Sequence, residues 1–109
     1  MMPVRLQRKR TLGWRTPPGA IYIGRPTPYG NSYNIDAPHP VHGWPMSAAE
    51  AVALFERDLL ALIEINDYAT SLRLDALQGC DLLCWCKEGA PCHGDIWLRE
   101  ANNGRRRSR

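Results

Sequence analysis

No stretch of this 109-residue chain approaches the run of about 18 apolar residues that a membrane-spanning helix needs, so no membrane association is expected. The opening Met1-Met2-Pro3-Val4-Arg5 lacks the apolar core of a secretory signal, and the expected location is the cytoplasm. Thiols stay reduced there, which turns the four cysteines away from a disulfide framework and toward metal binding or reactivity. No internal repeat is present. There is no Gly-Lys-Ser/Thr phosphate loop and no dinucleotide fingerprint, which excludes the two commonest nucleotide-binding signatures.

What is present fits one small domain, residues 1–104, followed by a basic tail at 105–109. Nine prolines and nine glycines, concentrated before residue 46, predict a loop-rich first half. The net charge of +3 is modest but uneven. Arg5, Arg8, Lys9, Arg10 and Arg15 crowd one end and Arg105, Arg106, Arg107 and Arg109 the other, while residues 33–101 are acidic on balance. Basic termini suit nucleic acid or a phosphorylated ligand, and short basic tails also serve solubility alone.

Val4-Arg5-Leu6, Ala20-Ile21-Tyr22-Ile23 and Asp81 to Trp85 read as strands, the last apolar enough to be central. Ser47-Ala48-Ala49-Glu50 is a capping-box pattern that starts a helix running to about Asn66. Val52, Phe55, Leu59, Leu62 and Ile63 share one face of it. A shorter helix is expected over 71–78 with Gly79 as its left-handed stop, and a last one begins near Cys92. Helices placed between strands predict a small α/β sandwich. Its sheet should be short and mostly parallel, with three or four strands flanked by helices.

Two segments carry the chemistry. Cys84-Trp85-Cys86-Lys87-Glu88-Gly89-Ala90-Pro91-Cys92-His93-Gly94-Asp95 gathers three cysteines, a histidine and an acid where a strand gives way to a helix. Alternation on a strand puts Cys84 and Cys86 on one face, with Cα atoms roughly 6.5–7 Å apart, at the far edge of disulfide geometry. Three readings follow. Cys84, Cys86, Cys92 and His93 form a zinc donor set, although the spacing departs from the usual knuckle, and His39 or His42 could replace His93. Alternatively Cys92, at a helix mouth that lowers a thiol pKa, is a nucleophile served by His93 as acid or base, with Asp95 orienting it or acting on substrate directly. In the third, Cys92 only caps the helix, with Asp95 at the third helical position, and Cys84 and Cys86 are small core residues.

The second segment, Gly24-Arg25-Pro26-Thr27-Pro28-Tyr29-Gly30-Asn31, follows a strand, where α/β sheets place ligand crevices. Gly24 and Gly30 allow close backbone approach, Arg25 offers a fork for phosphate, Asn31 can read a polar edge, and Tyr29 can stack on a ring. The bland alternative pairs Arg25 with an acid such as Asp95. Trp85 and Trp97 are expected in the core, and Trp44, like Tyr29, either stacks on a ligand or covers the core.

Tyr22-Ile23-Gly24-Arg25-Pro26, Tyr29-Gly30-Asn31, Leu83-Cys84-Trp85-Cys86 and Cys92-His93-Gly94-Asp95, in that order, resemble the domain of unknown function 4326 family. The resemblance runs from about residue 20 to residue 102, with Ser32 and Tyr33 where the family has Pro and Phe. It implies a relative of phage and bacterial proteins, actinobacterial ones among them, and a place in the host cytoplasm if phage-encoded. It implies no activity. The leading expectation from the residues is a pocket between the two segments that takes a nucleotide- or nucleoside-like ligand and carries out chemistry on it. The alternative is a zinc-stabilised module that binds nucleic acid or a host protein.

Overall fold

The computed structural model describes residues 2–103, so the expected basic tail lies outside the described residues. The elements follow the expected order: β1 (Arg5–Gln7), β2 (Ile21–Tyr22), α1 (Ala48–Glu64), α2 (Tyr68–Leu77), β3 (Leu82–Cys84) and α3 (His93–Ala101). Three strands form one all-parallel sheet in the order β1-β3-β2. Leu82 is in register with Arg5 on one side and Ile21 on the other. β3 is buried throughout, as its apolar run requires of a strand with neighbours on both edges.

α1 begins at the expected capping box, with Glu50 N–H bonded to Ser47 Oγ at 3.1 Å and Ser47 N–H to Glu50 Oε1 at 2.9 Å. Asn66, in the left-handed region at φ 56°, turns the chain after it. The helix buries Ala51, Leu54 and Leu59 most deeply, with Val52, Phe55 and Ile63 packed beside them. Leu62, expected on the core face, is instead 37% exposed. Apolar residues cover more than half of the helix circumference, so the periodicity admitted two overlapping faces. α2 starts three residues before its expected position because Asp67 caps it, accepting from Thr70 N–H at 3.0 Å and Thr70 Oγ1 at 2.7 Å. α3 lies against β1 and β3 and touches both other helices. Its Trp97 is buried, as expected. No helix among the described residues is long and apolar enough to cross a membrane.

The hydrogen bonds from Thr70, side chain first, hold the Asp67 carboxyl below its ordinary value. A carboxyl lowered in the fold contributes stability above its unfolded value, near pH 4, and loses it as pH falls through the lower folded one. Asp67→Asn, which caps without titrating, should flatten that part of the acid unfolding curve followed by circular dichroism.

The long connection from β2 to α1 is ordered rather than loose. Its second half doubles back as a small hairpin, with Asp36 N–H on the Met46 carbonyl and Met46 N–H on the Ala37 carbonyl. A bridge joins Pro38 to Pro45. The hairpin tip gathers His39, His42 and Trp44, with His42 stacked on Trp44 and His39 tilted against His42, and Trp44 Nε1 donates to Glu50 at 2.8 Å.

Candidate functional site

Parallel pairing brings the C-terminal ends of all three strands to one sheet edge, so the segments after β1, β2 and β3 leave the sheet side by side. A cavity of about 330 Å³ opens there. Gly24, Arg25 and Asn31 line it from the segment after β2, and Cys84, Trp85, Cys86, Cys92 and His93 from the segment after β3. The first turn of α1 adds Ala48, Ala51 and Val52, and Tyr22, Tyr33 and Ile35 complete the apolar wall.

The two glycines are explained by packing within the protein. A Cβ on Gly24 would lie 2.6 Å from the Tyr22 ring, and one on Gly30 would lie 2.8 Å from Arg25 Cγ and 3.2 Å from the Arg25 backbone nitrogen. Asn31 clamps the loop to the helix, its amide donating to the Ala51 carbonyl at 3.1 Å and accepting from Tyr33 N–H at 2.9 Å. Tyr29 does not line the cavity. Its ring meets Trp97 edge-on at 5.6 Å, and its carbonyl accepts from Trp97 Nε1 at 2.8 Å. Arg25 is exposed and hydrogen-bonds Asn34. None of the ion pairs among the described residues involves it, so the expected alternative of an Arg25–Asp95 pair is not what forms.

Cys84, Cys86 and Cys92 converge at the floor, their sulfurs within 4.8 Å of one another. β3 ends at Cys84, so Cys86 reaches the cluster through the bend that follows rather than by strand alternation. Cys92 is the N-cap of α3, with Gly94 N–H pointing at its sulfur at 3.4 Å. Hydrogen bonds from Cys86, then Cys92, and the Arg5 guanidinium hold Cys84 well below the usual thiol value despite burial. Cys92 moves the other way, pushed up by Cys84 and Cys86 and by burial.

His93 Nε2 lies 2.8 Å from the Ile23 carbonyl, which only accepts, so the proton sits on Nε2. Burial lowers the pKa of the ring, which leaves it neutral with Nδ1 free of a proton, 3.9 Å from Cys92 Sγ. Asp95 does not orient it. That carboxylate accepts from Arg5 Nε at 2.8 Å and stands outside the cavity lining.

Two features escaped the sequence reading. Arg5, whose side chain is only 8% exposed, reaches under the segment after β3 and donates to Cys84 Sγ and to the carbonyls of Cys86 and Ala90. Burial opposes its charge, but the bonds to Asp95 and Cys84 more than offset this. The available signal was an arginine inside a strand of a parallel sheet, where both faces are covered and a charge must find partners. Trp85 is the second feature. Expected in the core, it falls one residue past the strand, is 38% exposed, and carries Arg8 and Arg10 over its ring at 5.0 and 4.2 Å.

A family described as Domain of unknown function (DUF4326) matches the chain over residues 6–103. The chain belongs to this family. Its domain therefore includes both cavity-lining segments and the helices that hold them. No curated protein and no solved structure matches the chain.

Proposed function

We propose that the cavity binds a small phosphate-bearing ligand of nucleotide or nucleoside type. The observation that carries this reading is the meeting of the Gly24–Asn31 and Cys84–His93 segments at one cavity. At about 330 Å³ it lies at the small end of ligand sites, roughly 300–1,000 Å³, which suits one nucleotide better than a dinucleotide. Arg25 stands at its rim with an amide partner, and no ion pair among the described residues neutralises it. The first turns of α1 and α3 both face the space, and their dipoles favour an anion. Tyr22, Tyr33 and Trp85 supply aromatic surface for a base or sugar. Of the three residues expected to do chemistry, His93 holds an unprotonated nitrogen beside the cavity, so any proton transfer falls to its Nδ1. Gly24 and Asn31 line and shape the site, while Gly30 and Tyr29 support it from outside the lining, Tyr29 through Trp97.

Calorimetric titration with nucleoside monophosphates and with inorganic phosphate tests the reading. Arg25→Ala should weaken monophosphate binding by about 10- to 100-fold, the loss of one charge-assisted hydrogen bond, and leave the unfolding midpoint nearly unchanged. The reading fails if none of these probes binds at millimolar concentration, or if Arg25→Ala binds them as well as the parent chain.

A further inference from the structure

We propose that Cys84, Cys86 and Cys92 bind one thiophilic divalent cation of the zinc class through three thiolates, leaving the fourth coordination position open to the cavity. This site does not depend on which ligand the cavity takes.

The sulfurs come from parts of the fold that are already fixed. Cys84 ends the buried central strand, Cys86 follows it by two residues, and Cys92 caps a helix packed on the same sheet. A tetrahedral zinc with bonds of about 2.3 Å separates its sulfurs by about 3.8 Å. Here Cys84 and Cys92 stand 3.2 Å apart and no pair exceeds 4.8 Å, so the three positions bracket that value.

The groups around the sulfurs are those a thiolate centre needs. Arg5 Nη1 donates to Cys84 Sγ at 3.5 Å and Gly94 N–H to Cys92 Sγ at 3.4 Å, bonds that orient metal ligands and favour their ionised form. Charge is favourable as well. Three thiolates and a dication leave one negative charge, and the Arg5 guanidinium, which also pairs with Asp95, donates to one of the three sulfurs. A disulfide is the weaker alternative, because joining the close Cys84–Cys92 pair would leave the Cys86 sulfur in the group unexplained.

The histidines do not complete the set. His93 is outside the sulfur group: its Nε2 is held by Ile23, and its Nδ1, 3.9 Å from Cys92 Sγ, does not come within 4.8 Å of all three sulfurs. His42 stacks on Trp44 at the hairpin tip with His39 tilted beside them, and both histidines are likewise outside it. All three cysteines line the cavity, so the remaining position faces it, the three-ligand pattern of zinc sites that keep a place for water or substrate.

Cobalt(II) added to the reduced, chelator-stripped full chain tests this directly. The expected result is one equivalent bound, with thiolate-to-cobalt charge-transfer absorption, tetrahedral visible bands, and a shift of those bands when imidazole takes the open position. Cys86→Ser, at the least buried of the three sulfurs, should bind cobalt at least about tenfold more weakly and lose charge-transfer intensity. Cys80→Ser, outside the group, should match the parent chain. The proposal is overturned if the folded, fully reduced chain shows no cobalt bands, or if Cys80→Ser abolishes them. It is equally overturned if a folded Cys86→Ser keeps them at full strength. A spectrum that imidazole does not move overturns the open position. The parent and Cys80→Ser spectra decide the matter even where Cys86→Ser does not fold.

Discussion

Arg5→Met should lose about 3 kcal/mol of stability, seen as a lower urea midpoint with little change in slope. Methionine keeps the length of the stem, so the loss isolates the guanidinium. That group bonds Asp95, Cys84 Sγ and the carbonyls of Cys86 and Ala90, and it is the tie between β1 and the segment that follows β3. The ion pair is the smaller part. Asp95 is 52% exposed, so solvent screens it, and Asp95→Asn should cost under about 1 kcal/mol. The larger part is the set of acceptors left without a donor in a partly buried place. Arg5→Lys should recover little, because an ammonium cannot span a sulfur, a carboxylate and two carbonyls as a fork does. If Asp95→Asn proved as damaging as Arg5→Met, the ion pair would be the main contribution and this account would be wrong.

Leu82→Ala should cost about 2–5 kcal/mol, the range for a leucine emptied from a core that cannot collapse around the gap. Leu82 is fully buried at the centre of the sheet, paired with Arg5 and Ile21 and packed in the cluster that holds Ile23, Leu74, Leu77 and Trp97. Both neighbouring strands are already hydrogen-bonded in place, so neither can move in to fill the void. A domain this size has roughly 5–15 kcal/mol in total, and each kcal/mol moves the melting temperature by about 4–8 °C. A drop of some 10 °C or more is therefore expected by calorimetry. Leu72→Ala, at a position 51% exposed, is the control and should stay within about 0.5 kcal/mol. Equal losses at the two positions would mean that the core does not centre on β3.

The order of elements, the parallel sheet and both helix caps at Ser47 and Cys92 were legible in the residues, because each rests on local chemistry. The approach of the two motif segments was legible as soon as their strands were taken as parallel neighbours. What stayed hidden depends on contacts distant in sequence. Nothing near Arg5 says that it passes beneath residues 84–90, and it looked like one member of a basic cluster. Trp85 was misplaced by a single residue of strand length, which decides between core and rim. Asp95 was given to His93 by proximity in sequence, whereas the helix turns it toward Arg5 and the imidazole finds a carbonyl 70 residues away.

The strand order has a consequence for synthesis. β1 and β2, both made well before β3, pair with β3 and not with each other. Until residues 82–84 leave the ribosome there is no sheet, only two strands without a partner, and a truncated product ending after α2 would lack β3 and α3 and with them the sheet edge where the cavity forms. Assembly of the sheet therefore waits on residues 82–84, and the segment that brings the three sulfurs together follows directly from the strand that completes it.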